Sequence, residues 1–90
     1  MREIILDGRD MDNRAQLHQQ LREKLDLPDH YGKNLDALND CLGELRDVRI
    51  TLRYAQAMVN SLGAYGMQVL EVFRQAQQGR ADLRFTASDQ

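Results

Sequence analysis

The residues from Val48 to Tyr54 alternate between apolar and polar side chains, and this pattern constrains the fold more than any other in the chain. The polar positions are Arg49, Thr51 and Arg53, so a strand built from this run has one apolar and one polar face. Strands buried on both faces read as continuous apolar runs instead. The sequence therefore predicts two layers, with helices covering only one face of a sheet.

Two further strand-like runs lie near the ends of the chain. Residues 3–7 are β-rich and end at the turn signal Asp7-Gly8, and residues 81–86 alternate again. Helical spacing of apolar residues predicts a pair of helices in each interval, the first capped by Asp12 and the second pair broken over residues 63–66. Such crossovers normally join parallel strands with right-handed connections. We therefore predict an α/β fold: a three-stranded parallel sheet in the order 1-2-3, with about four helices packed on one face.

The size and composition of the chain limit its class. Ninety residues make one domain, 1–90, in which the polar residues 87–90 are expected to form a loose C-terminal tail. Charged Arg2 and Glu3 precede only three apolar residues, so neither a membrane span nor a signal peptide is predicted. The single Cys41 cannot form an internal disulfide. We expect a cytoplasmic protein without membrane contact, and a monomer when free, because the open sheet face is polar.

The chain lacks the residues and motifs that most catalytic and nucleic-acid-binding sites require. Its 14 acidic residues against 12 Lys and Arg give none of the basic excess that phosphate-backbone binding requires. Zinc-ligand spacing and glycine-rich phosphate loops are missing, so no metal, cofactor or direct nucleic-acid partner is predicted. Of the two histidines, His18 is interpreted as a packing residue, and His30 as a partner contact, with a catalytic base near Asp29 as the weaker alternative. We therefore predict that the protein is not an enzyme.

The segment Leu27–Leu42, LPDHYGKNLDALNDCL, carries the main functional signal. Pro28 ends the preceding helix, and Asn34 can cap a new one over Leu35–Glu44. At about 100° per residue, the apolar side chains of this helix share one arc. The opposite arc carries no positive charge and consists of Asp36, Asn39, Asp40, Gly43 and Glu44.

The charge of this helix permits two interpretations. Asp36 and Asp40 are four residues apart, and like charges at this spacing cost an isolated helix roughly 0.2–0.5 kcal/mol. Residues 29–47 carry five acids against two bases, so the acidity of the chain is concentrated here. The face is either an ordinary solvated surface or a surface that binds a basic partner.

The residues also suggest a known family. Leu17-His18 in the first helix, the LPDHYGKNLDALNDCL block and Val72-Phe73-Arg74 closely resemble the barstar family over nearly the whole chain. Barstar is an intracellular inhibitor of the secreted bacterial ribonuclease barnase, and their complex is the standard example of electrostatically steered association. The resemblance implies an acidic helix and a preceding loop that plug the RNA-binding cleft of a nuclease, with carboxylates where substrate phosphates would lie.

Site residues follow from the same resemblance. Asp36 and Asp40 match the helix aspartates that meet basic residues of the enzyme, His30 matches an aromatic loop contact, and Tyr31 belongs to the loop architecture. Asn39 and Leu45 replace tryptophans, Gly43 and Glu44 replace a Thr-Gly pair, and Gln75 replaces an acidic contact. The expected partner-binding residues are His30, Asn34, Asp36, Asn39, Asp40, Gly43, Glu44 and Gln75.

The expected partner is a basic ribonuclease of the barnase type or a related nuclease or toxin. Its cleft rim would differ from that of barnase where Asn39, Glu44 and Gln75 touch it, because Asn39 replaces a large aromatic anchor, Gln75 replaces an acidic one and Glu44 stands in place of a glycine. The alternative is a barstar-fold interaction module, or an antitoxin for a different nuclease or toxin, that does not inhibit a ribonuclease.

Overall fold

The chain forms a three-stranded parallel sheet with four helices packed against one of its faces. The structure is a computed structural model, and it describes all 90 residues. The elements in chain order are β1 (Arg2–Asp7), a 3₁₀ turn (Gly8–Asp10), α1 (Arg14–Lys24), α2 (Leu35–Glu44), β2 (Val48–Arg53), α3 (Ala55–Leu62), α4 (Ala64–Gln77) and β3 (Leu83–Ala87). The predicted fold class and element order are confirmed.

The sheet has the predicted order β1-β2-β3, and all its pairings are parallel. Ile4 lies beside Ile50, which lies beside Phe85, and all three are buried under the helices. On the opposite face Arg49 and Arg84 are neighbours in register, and both are exposed. One face of every strand thus packs in the core and the other faces solvent, as the alternation in β2 predicts.

Side chains from all four helices complete the core. Phe73 of α4 stacks on Phe85 of β3 with ring centroids 4.6 Å apart. Leu38 and Leu42 of α2 are fully buried, so the apolar arc of this helix is fixed against the rest of the domain. Burial of a leucine side chain stabilises a fold by about 1.5–3 kcal/mol. None of the helices has the length and apolar character that a bilayer crossing requires.

Several predicted element boundaries are wrong. The cap of α1 is Asn13, whose side chain accepts a hydrogen bond from the backbone N–H of Gln16, rather than Asp12. Only Gly63, with a φ of 59°, separates α3 from α4, whereas a break over residues 63–66 was predicted. Gly66 lies inside α4, where a Cβ would come 3.1 Å from the Cα of Val59. This glycine therefore serves close helix packing and not a turn.

The ends of β2 and β3 also differ from the prediction. Tyr54 does not continue β2, because it takes a left-handed conformation (φ 55°) that starts α3. Ala87 belongs to β3, and the backbone of Ser88 bonds to Leu52 and Ala55 at 2.9 Å each. The loose tail predicted for residues 87–90 is therefore wrong for its first two residues, which backbone pairing holds in place.

Glutamine side chains cover polar backbone groups on both outer edges of the sheet. Gln20 of α1 accepts from the N–H of Asp7 at 2.6 Å and donates to its carbonyl at 3.0 Å. Gln77 of α4 accepts from the N–H of Phe85 at 2.9 Å. Open strand edges invite pairing with another chain, so these amides oppose association through the edges.

Candidate functional site

Helix α2 presents its polar arc to solvent along its whole length. Asp36, Asn39, Asp40, Gly43 and Glu44 are all exposed. Leu38 and Leu42 are buried beneath them, while Leu35, Ala37, Cys41 and Leu45 pack against the edge of the core. The division of the helix into two faces is as the sequence predicts, and it holds the acidic side chains on a rigid base.

The carboxylates of α2 have no basic partner within the chain. The ion pairs of the protein join Arg9 to Asp7, Arg22 to Asp29, Arg49 to Glu3, and both Arg46 and Arg80 to Asp82. Asp36, Asp40 and Glu44 take part in none of them and accept no side-chain hydrogen bond. Their charge is therefore available to a basic group from outside the chain.

The start of α2 is fixed by Asn34. Its side chain accepts a hydrogen bond from the backbone N–H of Ala37 at 2.8 Å and donates to the carbonyl of Gly32 at 3.2 Å. Both groups of the amide are thus used within the chain, as is typical of a helix N-cap. Asn34, a predicted contact residue, serves first to position the helix.

Residues 28–34, in the connection between α1 and α2, form what we call the Tyr31 loop. Tyr31 is buried, and its hydroxyl lies 2.6 Å from Nδ1 of His18 on α1. The other ring nitrogen of His18, Nε2, lies 2.7 Å from the hydroxyl of Tyr65 on α4. His18 therefore packs as expected and also joins the loop to two helices, and the architectural role expected for Tyr31 agrees with its burial.

Burial is the main cause of the shifted pKa values of His18 and Tyr31. It lowers the pKa of His18, and the positive charges of Lys33 and Arg14 lower it further. Burial also raises the pKa of Tyr31. The two hydrogen-bonded groups are therefore held neutral near neutral pH.

Two arginines bind the C-terminal end of α2. Arg80, from the segment before β3, donates to the carbonyl of Leu42 at 2.9 Å and also to the carbonyl of Leu45. Arg46 donates to the carbonyls of Gly43 and Leu45 at 2.7 and 2.9 Å. These cations lie where the partial negative charge of the helix end is concentrated, so they stabilise this end of α2.

Two open depressions flank Asp40. One, of about 200 Å³, brings Asp40 and Glu44 together with His30 and Tyr31 of the loop. The other, of about 550 Å³, brings Asp40 together with Asn39 and Gly43 of α2, Ala76 of α4, Arg46, Arg80 and Asp82. Asp40 is the residue common to both, so it lies at the centre of the candidate surface.

Most of the predicted contact residues share this surface. His30, Asn39, Asp40, Gly43 and Glu44 line the two depressions. Asp36 is exposed one turn before Asp40 on the same helix. Gln75 is exposed on α4 next to Ala76, but its amide donates to Glu71, one turn earlier on its own helix, at 3.1 Å.

Sequence reasoning did not identify Arg46, Arg80, Asp82 and Tyr65 as parts of this region. Arg46 lies two residues after the last residue of α2, and a basic residue near a helix C-terminus is a recognised signal for binding its carbonyls. Arg80 and Tyr65 reach their partners across 35 or more residues of sequence. No local pattern could have indicated those contacts.

Comparisons with known proteins identify the family of the chain. The family described as Barstar (barnase inhibitor) matches residues 1–88 of the chain. A curated protein of Bacillus subtilis (strain 168), named "Putative ribonuclease inhibitor YrdF", is 48% identical over 84 residues, which cover 91% of this chain and 92% of that protein. The similarity therefore includes the Tyr31 loop, α2 and both depressions.

Proposed function

Since the chain belongs to the barstar family, whose members are inhibitors rather than enzymes, we propose that it is a cytoplasmic inhibitor that binds and blocks the active-site cleft of a basic ribonuclease. The observation that carries this proposal is the exposed pair Asp36 and Asp40, which stands on a helix anchored by buried leucines and has no basic partner within the chain. The binding surface consists of α2 and the Tyr31 loop.

The physical basis of inhibition is charge presented in a fixed geometry. A ribonuclease cleft must attract RNA phosphates, so it is rich in Arg and Lys, and these groups form charge-assisted hydrogen bonds with carboxylates. The free helix bears the repulsion between Asp36 and Asp40, and neutralisation by the enzyme would relieve it. Because the core, Asn34 and Arg80 already fix α2, little conformational entropy is lost when the surface docks.

The proposed contact residues fit a nuclease whose cleft rim differs from that of barnase. Asn39 and Gly43 are small, and beside them lies the open depression of about 550 Å³. Large aromatic side chains are common anchors of tight interfaces, and this surface has none on α2. A partner that fills the depression with its own side chains would fit this surface better than a flat rim.

The test is binding and inhibition with purified ribonucleases. Isothermal titration and RNA-cleavage assays would use barnase and any barnase-like ribonuclease that the source organism encodes. We expect a one-to-one complex with at least one of them, with association that slows as salt is raised, because screening weakens steering between exposed charges. Absence of heat and of inhibition at micromolar protein with both enzymes would overturn the proposal.

Matched variants would separate the site from the net charge. Asp36→Asn and Asp40→Asn each remove one charge from the surface, and Asp89→Asn removes the same charge from the exposed C-terminal residues. A lost charge-assisted hydrogen bond costs about 1.5–3 kcal/mol, which raises Kd by about 10- to 150-fold. We expect this loss for the two helix variants and little change for Asp89→Asn. Equal affinity in all three would refute the assignment of the surface even if inhibition were real.

The alternative function is an interaction module or antitoxin that uses the same surface on a different basic protein. Affinity capture from the source organism, with the wild type beside an Asp36→Ala/Asp40→Ala double variant, distinguishes the two. A ribonuclease retained only by the wild type supports inhibition. A basic toxin of another class retained in the same way supports the alternative.

A further inference from the structure

The bridge from Tyr31 through His18 to Tyr65 joins the loop to α1 and α4. His18 and Tyr31 are both buried, and the hydroxyls of Tyr31 and Tyr65 lie 2.6 and 2.7 Å from the two nitrogens of one imidazole ring. His30, which lines the depression beside Asp40, is the residue directly before Tyr31. The position of one side of the candidate surface is therefore set by this bridge.

The number of protons on the His18 ring determines the direction of each hydrogen bond in the bridge. A neutral imidazole has one N–H donor and one acceptor nitrogen. The buried Tyr31 hydroxyl has His18 as its only side-chain partner, so its O–H donates to Nδ1. The Nε2–H then donates to the oxygen of Tyr65, which is only half-buried and can direct its own hydrogen to solvent. Tyr31 thus selects the tautomer of His18, and Tyr65 stabilises that tautomer by accepting from its Nε2–H.

Protonation of His18 breaks this arrangement. Both ring nitrogens then carry a proton, so Nδ1 can no longer accept, and the buried Tyr31 hydroxyl is left without an acceptor. We infer that His18 and Tyr65 are positioning residues for the Tyr31 loop, and that acid releases the loop and weakens binding through this surface. The effect on the loop stands alone, whereas the effect on binding rests on the proposed function.

The charged surroundings support the same direction. The groups that face the bridge are Arg14 of α1, whose guanidinium lies 4.0 Å from the centre of the Tyr65 ring, Lys33 of the loop, and Cys41 of α2 beside Tyr31. Arg14 and Lys33 both oppose a positive charge on His18, and burial lowers the pKa of His18 most. The closed loop therefore binds a proton less readily than the open loop.

The sign of the pH dependence follows from that difference. Above the ordinary histidine pKa, about 6.5, both loop states hold neutral His18 and pH has no effect. Below it, the open loop gains a proton first, so opening becomes more favourable by up to about tenfold per pH unit until the lowered pKa of the closed loop is passed.

The decisive measurement is hydrogen exchange in the free protein. The Tyr31 backbone N–H bonds to the carbonyl of Pro28 at 3.0 Å and reports loop opening, while amides in the buried strand β2 report global unfolding. We expect the protection factor of the Tyr31 amide to fall as pH is lowered from 7.5 to 5 and to stay well below that of the β2 amides, so that the loop opens without global unfolding. In the same samples, the ¹⁵N shifts of His18 should show the Nε2–H tautomer at pH 7.5. A constant Tyr31 protection factor while His18 becomes protonated, or the opposite tautomer, would overturn the inference.

Variants that remove single hydroxyls avoid emptying the core. Tyr65→Phe keeps the ring beneath Arg14 and should reduce Tyr31 protection several-fold at pH 7.5, because the Nε2–H of His18 loses its acceptor. Tyr31→Phe removes the hydroxyl that becomes unsatisfied, and should weaken the pH dependence without removing it, because burial, Lys33 and Arg14 still oppose protonation of His18. Tyr54→Phe is the matched control and should behave as the wild type, because Tyr54 follows β2 and its ring contacts Arg9 and Arg53 instead of His18. A wild-type pH profile in Tyr31→Phe, or unchanged protection in Tyr65→Phe, would refute the positioning role.

The binding experiment uses barnase and any barnase-like ribonuclease that the source organism encodes as probes. Dissociation from the ribonuclease that binds should accelerate between pH 7.5 and 5 for the wild type and for His30→Gln, but less for Tyr31→Phe. Since the chain has only two histidines, His30→Gln separates a loop contact from the buried bridge. Absence of binding at every pH would count against the proposed function and leave the loop result intact. A dissociation rate that stays constant with pH while the loop opens would refute the coupling between loop opening and binding.

Discussion

Arg80 joins the end of α2 to the segment before β3, and replacing it with methionine tests how much α2 depends on this tertiary contact. The guanidinium donates to the carbonyls of Leu42 and Leu45, and its side chain is 22% exposed. It also donates to both carboxylate oxygens of Asp82, at 3.1 and 3.2 Å. Methionine retains most of the apolar stem of arginine but can donate none of these hydrogen bonds.

The magnitude follows from the two carbonyl contacts. Hydrogen bonds from charged donors contribute about 1.5–3 kcal/mol when well shielded, and the partial exposure of Arg80 reduces this to about 1–1.5 kcal/mol for each carbonyl. Arg80→Met should therefore lower the free energy of unfolding by about 2–3 kcal/mol. In a domain of this size, that loss lowers Tm by roughly 8–24 °C.

Urea and thermal denaturation followed by circular dichroism would measure the effect. Arg46→Met is the matched control, because Arg46 also donates to two carbonyls at the end of α2 but its side chain is 64% exposed. Water can replace its bonds, so we expect a loss of about 0.5 kcal/mol or less. Equal losses in the two variants would refute the conclusion that the shielded contact of Arg80 holds the helix end.

Three further changes should alter stability in defined directions in the same urea assay. Gly43→Ala should raise the free energy of unfolding by about 0.5–1 kcal/mol, because Gly43 is helical and a Cβ there would meet no atom within 4 Å; a decrease would contradict this reasoning. Asn34→Ala should lower it by about 0.5–2 kcal/mol through loss of the helix cap, and the comparison variant Asn39→Ala, at an exposed position of the same helix, should change it by less than about 0.5 kcal/mol. Leu38→Ala should lower it by about 2–5 kcal/mol because the side chain is fully buried, and a loss below 1 kcal/mol would mean that α2 is not anchored there.

The fold could be predicted because its pattern is local. The alternation in β2 and the helical spacing around it identified the strand order and the single covered face, and both are present in the structure. The two faces of α2 followed in the same way from a period of 3.6 residues. The misplaced boundaries, at Asn13, Gly63 and Tyr54, lie where one residue adopts a cap or a left-handed conformation that several neighbours could also have supplied.

The sequence by itself determined which residues face solvent on α2, because hydrophobic periodicity fixes the orientation of a helix against its core. Only the tertiary structure decided what holds that helix and its loop in place. Arg80 reaches α2 across 35 and 38 residues, and Tyr65 reaches His18 across 47. Such contacts depend on how separate elements pack in three dimensions, and the local spacing of residues carries no information about them.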